Sequence, residues 1–151
     1  EIGSVASFLS TRPERTRAMV KLDVSDQADL DELLKLEGRY GIPVAAKVVV
    51  ASDRALPIIE RMREADVIAA EVQFANASLL ERVCAMELPI AVFTLDEIAC
   101  DGYSDTAAQR DPGSVWGRLV DLGIRVVMTD APADLMQYLG TRDRTATAAS
   151  S

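Results

Sequence analysis

Five short runs rich in valine and isoleucine alternate with amphipathic helical patterns, and this alternation constrains the fold more than any other feature of the chain. The runs are Val20 to Val24, Val44 to Val50, Val67 to Val72, Ile90 to Leu95 and Ile124 to Met128, each bounded by turn or capping residues. Between them lie helical patterns. Leu30, Leu33 and Leu34 are followed by Gly41 and Pro43, residues that stop a helix and launch a strand. The others are Ile58, Ile59 and Met62; Leu79, Leu80, Val83 and Cys84; and Trp116, Leu119 and Val120, closed by Gly123. Val5, Phe8 and Leu9 suggest an opening helix. The expectation is an α/β domain over residues 1–140, a helix followed by five βα units, with a parallel sheet and right-handed crossovers. The small polar residues from Thr141 to Ser151 read as a disordered tail.

The strand centres fall about 21 to 25 residues apart, except before the last strand, where Glu97 to Gly113 forms an insertion. Its Asp101, Gly102, Tyr103, Asp105, Arg110, Asp111, Pro112 and Gly113 have the composition of an exposed loop. It follows a strand and precedes a helix, so it falls on the carboxyl face, where parallel α/β proteins place ligands.

Composition narrows the function. With 16 Lys+Arg against 24 Asp+Glu the formal net charge is −8, which argues against DNA, RNA or an anionic membrane as partner. There is no histidine, so neither a Ser-His or Cys-His nucleophile, nor a His-ligated zinc, nor a histidine general base lies within these residues. Cys84 and Cys100 are too few for a zinc site; Cys84 sits in an apolar helical pattern and reads as packing. No apolar run reaches the roughly 18 residues of a membrane span and no signal peptide is evident, so a cytoplasmic protein is expected. The chain starts at Glu1 in what reads as the lead-in to a helix, which suggests part of a longer protein. Neither a dinucleotide fingerprint, a phosphate-binding P-loop nor a nucleophile elbow is present.

Polar residues within the strands are the informative exceptions. Lys21, Asp23 and Ser25 share one face of the first strand by its period of two. Lys47 interrupts the second strand, and Glu71 and Gln73 the third; the fourth ends in Thr94 and Asp96, the fifth in Thr129 and Asp130. A lone buried charge is costly, so Lys21, Asp23, Lys47 and Glu71 should converge if their stripes face one interior, as in a closed barrel. Two readings stay open: a structural ion-pair network, or a site in which carboxylates hold a divalent cation and lysines neutralise a phosphate.

From Phe93-Thr94-Leu95-Asp96 through Trp116 to Leu122-Gly123-Ile124 and Met128-Thr129-Asp130-Ala131-Pro132, the chain resembles the end of glycerophosphodiester phosphodiesterases. That family tends to show a Trp-Thr-x-Asn strand, a helix leading to Leu-x-x-x-Gly-Val-Asp, and a last strand closing on Thr-Asp-x-Pro. Lys21-Leu22-Asp23-Val24-Ser25 stands where the family has Glu-x-Lys, and Val5, Phe8 and Leu9 resemble its helix before the fourth strand. The resemblance implies a (βα)8 TIM barrel of which this chain carries about the last five βα units. It implies hydrolysis of a small phosphodiester substrate with a divalent metal, Mg or Ca. Asp23 would be a metal ligand; Lys21, Lys47, Glu71, Gln73 and Thr94 would contact substrate. Ser25 falls where the family's phosphate-facing lysine stands, and Lys21 or Lys47 would replace its charge.

The family's catalytic histidines and its other metal carboxylates belong to its first three strands, so no catalytic acid or base falls in this chain and diesterase turnover by these residues alone is not expected. Phe for Trp, Asp for Asn, Asp for Glu and Ser for Lys are departures from the pattern. Two alternatives stand beside the enzyme. One is a non-catalytic barrel or half-barrel module, completed by a missing N-terminal half or by forming a homo-oligomer, since open edges and an uncovered apolar interior favour association. The other is a five-stranded flavodoxin-like signalling domain, although the last strand ends Val127-Met128-Thr129-Asp130 without the lysine a receiver carries there.

Overall fold

The computed structural model describes residue 11 and residues 19–65, 67–98 and 100–149. The expected helix of Val5, Phe8 and Leu9 lies outside them. Five strands, β1 (Val20–Val24), β2 (Val44–Val50), β3 (Ala69–Phe74), β4 (Ile90–Phe93) and β5 (Val126–Met128), form one sheet in the order β1-β2-β3-β4-β5, with every neighbouring pair parallel. The helices are α1 (Gln27–Tyr40), α2 (Leu56–Glu64), α3 (Ala77–Cys84), α4 (Asp105–Arg110), α5 (Arg118–Asp121) and α6 (Pro132–Ala149). The five expected βα units are all present.

Local chemistry sets the element ends. Asp26 caps α1 by accepting from the Ala28 and Asp29 amides, and Gly41, at φ 62°, closes it by donating its N–H to the Glu37 carbonyl. Asn76 caps α3 by accepting from the Leu79 amide at 3.0 Å. Two strands start later than their apolar runs suggest. Val67 N–H bonds back to the Met62 carbonyl at 3.1 Å, and Ile124 N–H to the Leu119 carbonyl at 3.1 Å. Both residues therefore close the preceding helix rather than open a strand, and both are buried for that reason.

One apolar cluster joins alternate strand residues to the helices: Val24; Val44, Ala46, Val48 and Val50; Ala70 and Val72; Ile90 and Val92 meet Leu30, Leu33, Ile59, Met62, Leu80, Val83 and Leu119. The helices therefore cover one face of the sheet. Register places Asp23, Lys47, Glu71, Ala91 and Val126 together on the other face. Val49 and Val126 on that face are 56% and 53% exposed, so it is open to solvent.

The segment expected as an exposed loop is not one. It contains a 3-10 turn at Asp96–Ile98, helix α4, and a π turn at Gly113–Gly117 running into α5. Ser104 caps α4 by accepting from the Ala107 amide, and Asp105 and Ala108 are buried. The Ser104-Asp105 pair is a helix start, which a composition rich in Asp and Gly conceals. Pro132 opens α6, which runs through Thr141, where a disordered tail was expected to begin. Arg142 holds this part of the helix down by bonding to the Gly117 carbonyl and to Asp121.

Candidate functional site

The polar stripes meet on the open face. Asp23 pairs in register with Lys47 and Lys47 with Glu71, giving a row of alternating charge across three strands. Gln73 sits one pleat further along, beside Val49; Lys21 sits one pleat back, beside Ala45. Lys21 Nζ reaches over this alanine to Glu71 Oε2 at 2.5 Å. Glu71 is buried, and the ion pair replaces the hydration it loses. The lysine itself is 45% exposed.

Lys47 is half-buried, and neither it nor Asp23 has an ion-pair or hydrogen-bond partner among the described residues. Together with Val24, Ser25 and Val49 they line a cleft of about 250 Å³ at the carboxyl ends of β1 and β2. The cleft thus presents an ammonium, a carboxylate and a hydroxyl. An ammonium beside a hydroxyl suits an oxyanion. Of the two lysines expected to neutralise a phosphate, only Lys47 is free to do so, because Lys21 is committed to Glu71.

The expected divalent cation has an incomplete ligand set here. Among the described residues no three Asp, Glu or Cys side chains are grouped so as to hold a metal ion. Asp23 is the one unpaired carboxylate of the row, and a hard cation needs six or more oxygens. These residues alone do not make its site.

Thr94 is not part of the row. It is fully buried, and its hydroxyl donates to Asp105 Oδ1 at 2.5 Å. Thr129 Oγ1 donates to the same oxygen at 2.6 Å, and the Asp130 amide to Oδ2 at 2.7 Å. The Asp105 amide in turn bonds to the Thr94 carbonyl. The carboxylate therefore fastens α4 to the ends of β4 and β5, and Thr94, expected to contact substrate, is consumed in that fastening. Nearby, Asp96 accepts from Thr106 Oγ1 at 2.5 Å and from its amide at 2.9 Å, which holds the Asp96 carboxyl below the ordinary carboxylate range. Sequence reasoning did not single out Asp105. The only signals were a helix-start pair at Ser104-Asp105 and two strands each ending in threonine.

Comparison with curated proteins gives no match. The model of the DUF4996 family, a domain of unknown function, matches residues 45–139, more than half of the chain, which therefore belongs to that family.

Proposed function

We propose that these residues form the carboxyl-terminal part of a (βα)8 barrel that acts as a glycerophosphodiester phosphodiesterase-like phosphodiester hydrolase, and that the row Asp23, Lys47, Glu71 lines its interior. The observation that carries the reading is the row itself: three charged residues in register on the sheet face that the helices leave open. In a barrel such residues converge on the axis, and ligands bind at the carboxyl ends of the strands, where the Asp23–Lys47 cleft lies. The consecutive strand order supports a barrel over the flavodoxin-like alternative, whose order 2-1-3-4-5 reverses and places helices on both faces.

In this reading Lys47 takes the phosphate charge, with the Ser25 hydroxyl beside it, while Lys21 holds Glu71 in place through their ion pair. Gln73 contributes an amide to the polar wall. Asp23 is the ligand this chain offers to a Mg or Ca ion, whose other ligands come from outside the described residues. The acid–base groups also come from elsewhere, because the chain has no histidine.

The test is calorimetric titration of the protein with glycerol 3-phosphate, beside an assay for hydrolysis of glycerophosphodiesters. The expected result is binding that falls at least tenfold in Lys47→Met, little changed in Lys21→Met, with no turnover by these residues alone. Binding that survives Lys47→Met, or turnover by the histidine-free chain, would refute the assignment.

The open face also supports the non-catalytic reading. Val49 and Val126 are exposed there, and β1 and β5 are the outer strands of the sheet, so a second copy can pair along an edge. Sedimentation distinguishes the two: a concentration-dependent dimer with no phosphate binding favours the interaction module.

A further inference from the structure

We propose that the alcohol half of the diester bound at Lys47 carries a phosphate group of its own, held in a second cleft by Arg54, an inference that rests on the phosphodiester reading of the Asp23–Lys47 cleft. The second cleft lies between the 3-10 turn Asp53–Ala55, which follows β2, and α3, which follows β3. Both are connections at the carboxyl ends of strands, where parallel sheets place ligands. The cleft is about 590 Å³, the size of a small-molecule site. Both clefts reach the end of β2: Val49 lines the first, and Ala51, two residues on, lines the second.

The free polar groups of this cleft are donors. The Arg54 guanidinium has no hydrogen-bond or ion-pair partner among the described residues. The Asn76 side chain spends its oxygen on the Leu79 amide, which leaves the Nδ2 hydrogens. The Ser52 hydroxyl accepts from the Arg54 amide at 3.4 Å and retains a proton to donate, and the Ser78 hydroxyl has no partner among the described residues. The one carboxylate in the lining, Asp53, is already paired with Arg82 at 2.5 Å. Side chains rather than the end of α3 supply the donors, because the Ala77 N–H is taken by Asp101 and the Leu79 N–H by Asn76.

Charge selects among ligands. Arg54 and Arg82 against Asp53 leave the lining with one positive charge, in a chain whose formal net charge is −8. An alcohol half bearing an ammonium would meet Arg54 with like charge, and a neutral one would leave the guanidinium unused. A phosphate accepts the guanidinium fork through two oxygens and keeps further oxygens for the Asn76, Ser52 and Ser78 donors. A carboxylate has only two oxygens, and the fork occupies both.

The experiment is calorimetric titration of the protein, at constant ionic strength, with glycerophosphoinositol and with its derivatives phosphorylated once on the ring, beside glycerophosphocholine as the cationic comparison. The expected result is that at least one phosphorylated derivative binds at least fivefold more tightly than glycerophosphoinositol. Arg54→Met removes this gain and leaves glycerophosphoinositol itself little changed, whereas Lys47→Met weakens every compound alike. Arg54 is exposed, and an unchanged circular dichroism spectrum and melting temperature verify the fold of the variant. The inference is overturned if no phosphorylated derivative gains affinity, if the gain persists in Arg54→Met, if Arg54→Met weakens all the compounds equally, or if glycerophosphocholine binds as tightly as the phosphorylated derivatives. Binding of every compound unaffected by Lys47→Met is a separate failure, which overturns the reading of the first cleft on which the inference rests.

Discussion

Lys21 Nζ lies 2.5 Å from Glu71 Oε2 although a whole strand, β2, separates the two residues. The pair is asymmetric. Glu71 has a side chain 9% exposed and Lys21 one 45% exposed, so the partners differ in what each loses when the other is removed.

Lys21→Met strands a buried carboxylate and is expected to cost about 2 kcal/mol. Glu71→Gln releases an ammonium that rehydrates where it stands, at a cost of about 1 kcal/mol or less. Denaturant midpoints check the order. Equal losses would mean that Lys47, the register neighbour of Glu71, takes over the carboxylate, and Lys21→Met/Lys47→Met then exposes the full cost.

Asp105 carries a heavier structural duty. Asp105→Ala removes the acceptor from the Thr94 and Thr129 hydroxyls and from the Asp130 amide, in a place where Thr94 is shut off from water. A loss of about 3 kcal/mol is expected, with faster hydrogen exchange at the Asp130 amide. Asp105→Asn should fall between, because its oxygen replaces one carboxylate oxygen as acceptor while its amide nitrogen, a donor only, cannot replace the other. An unchanged melting temperature in Asp105→Ala would show that the fastening carries no stability.

How far such features are readable in the sequence depends on how local their causes are. β1 and β2 run between the residues their valine-rich runs suggest, because Gly41 and Pro43 leave no helical alternative. The Asp23, Lys47, Glu71 row follows from the period of two once the strands pair in parallel. Val67 and Ile124 misled because an apolar residue closing a buried helix looks like one opening a strand; only the hydrogen bonds of their N–H groups tell the two apart. Asp105 was illegible for another reason. Its partners lie 11, 24 and 25 residues away, and a polar residue in a Gly- and Asp-rich segment reads as solvated until tertiary contacts bury it.

The two cysteines should be unreactive at neutral pH. Burial, with the Glu81 carboxylate adding to it, pushes the Cys84 thiol up to about 11, and burial raises Cys100 as well. Thiolate, the reactive form, is thus suppressed. For a thiol raised from its ordinary value of 9.0, the unfolded chain ionises first as pH rises, so stability is full below about 9 and declines toward 11. Labelling with a thiol reagent at pH 8 should be slow in the folded protein and fast for both residues in denaturant. Rapid labelling of Cys84 in the folded state would contradict this placement.

Asp96 should act in the opposite direction. Thr106 donates its hydroxyl and its amide to the carboxylate, so the folded state favours the ionised form more than the unfolded chain does. This stability is present above the ordinary carboxyl value of 3.8 and is lost as pH falls through the depressed folded value. Thr106→Val removes the hydroxyl, which is the larger cause, and leaves the amide. Its effect is therefore partial: the Asp96 titration followed by carboxyl ¹³C shifts should move back toward 3.8 without reaching it. The stability difference between the two proteins should vanish in acid, where Asp96 is protonated in both folded and unfolded chains. A titration curve unmoved by Thr106→Val would show that the Thr106 amide alone, or the Ser104 hydroxyl, sets the Asp96 charge.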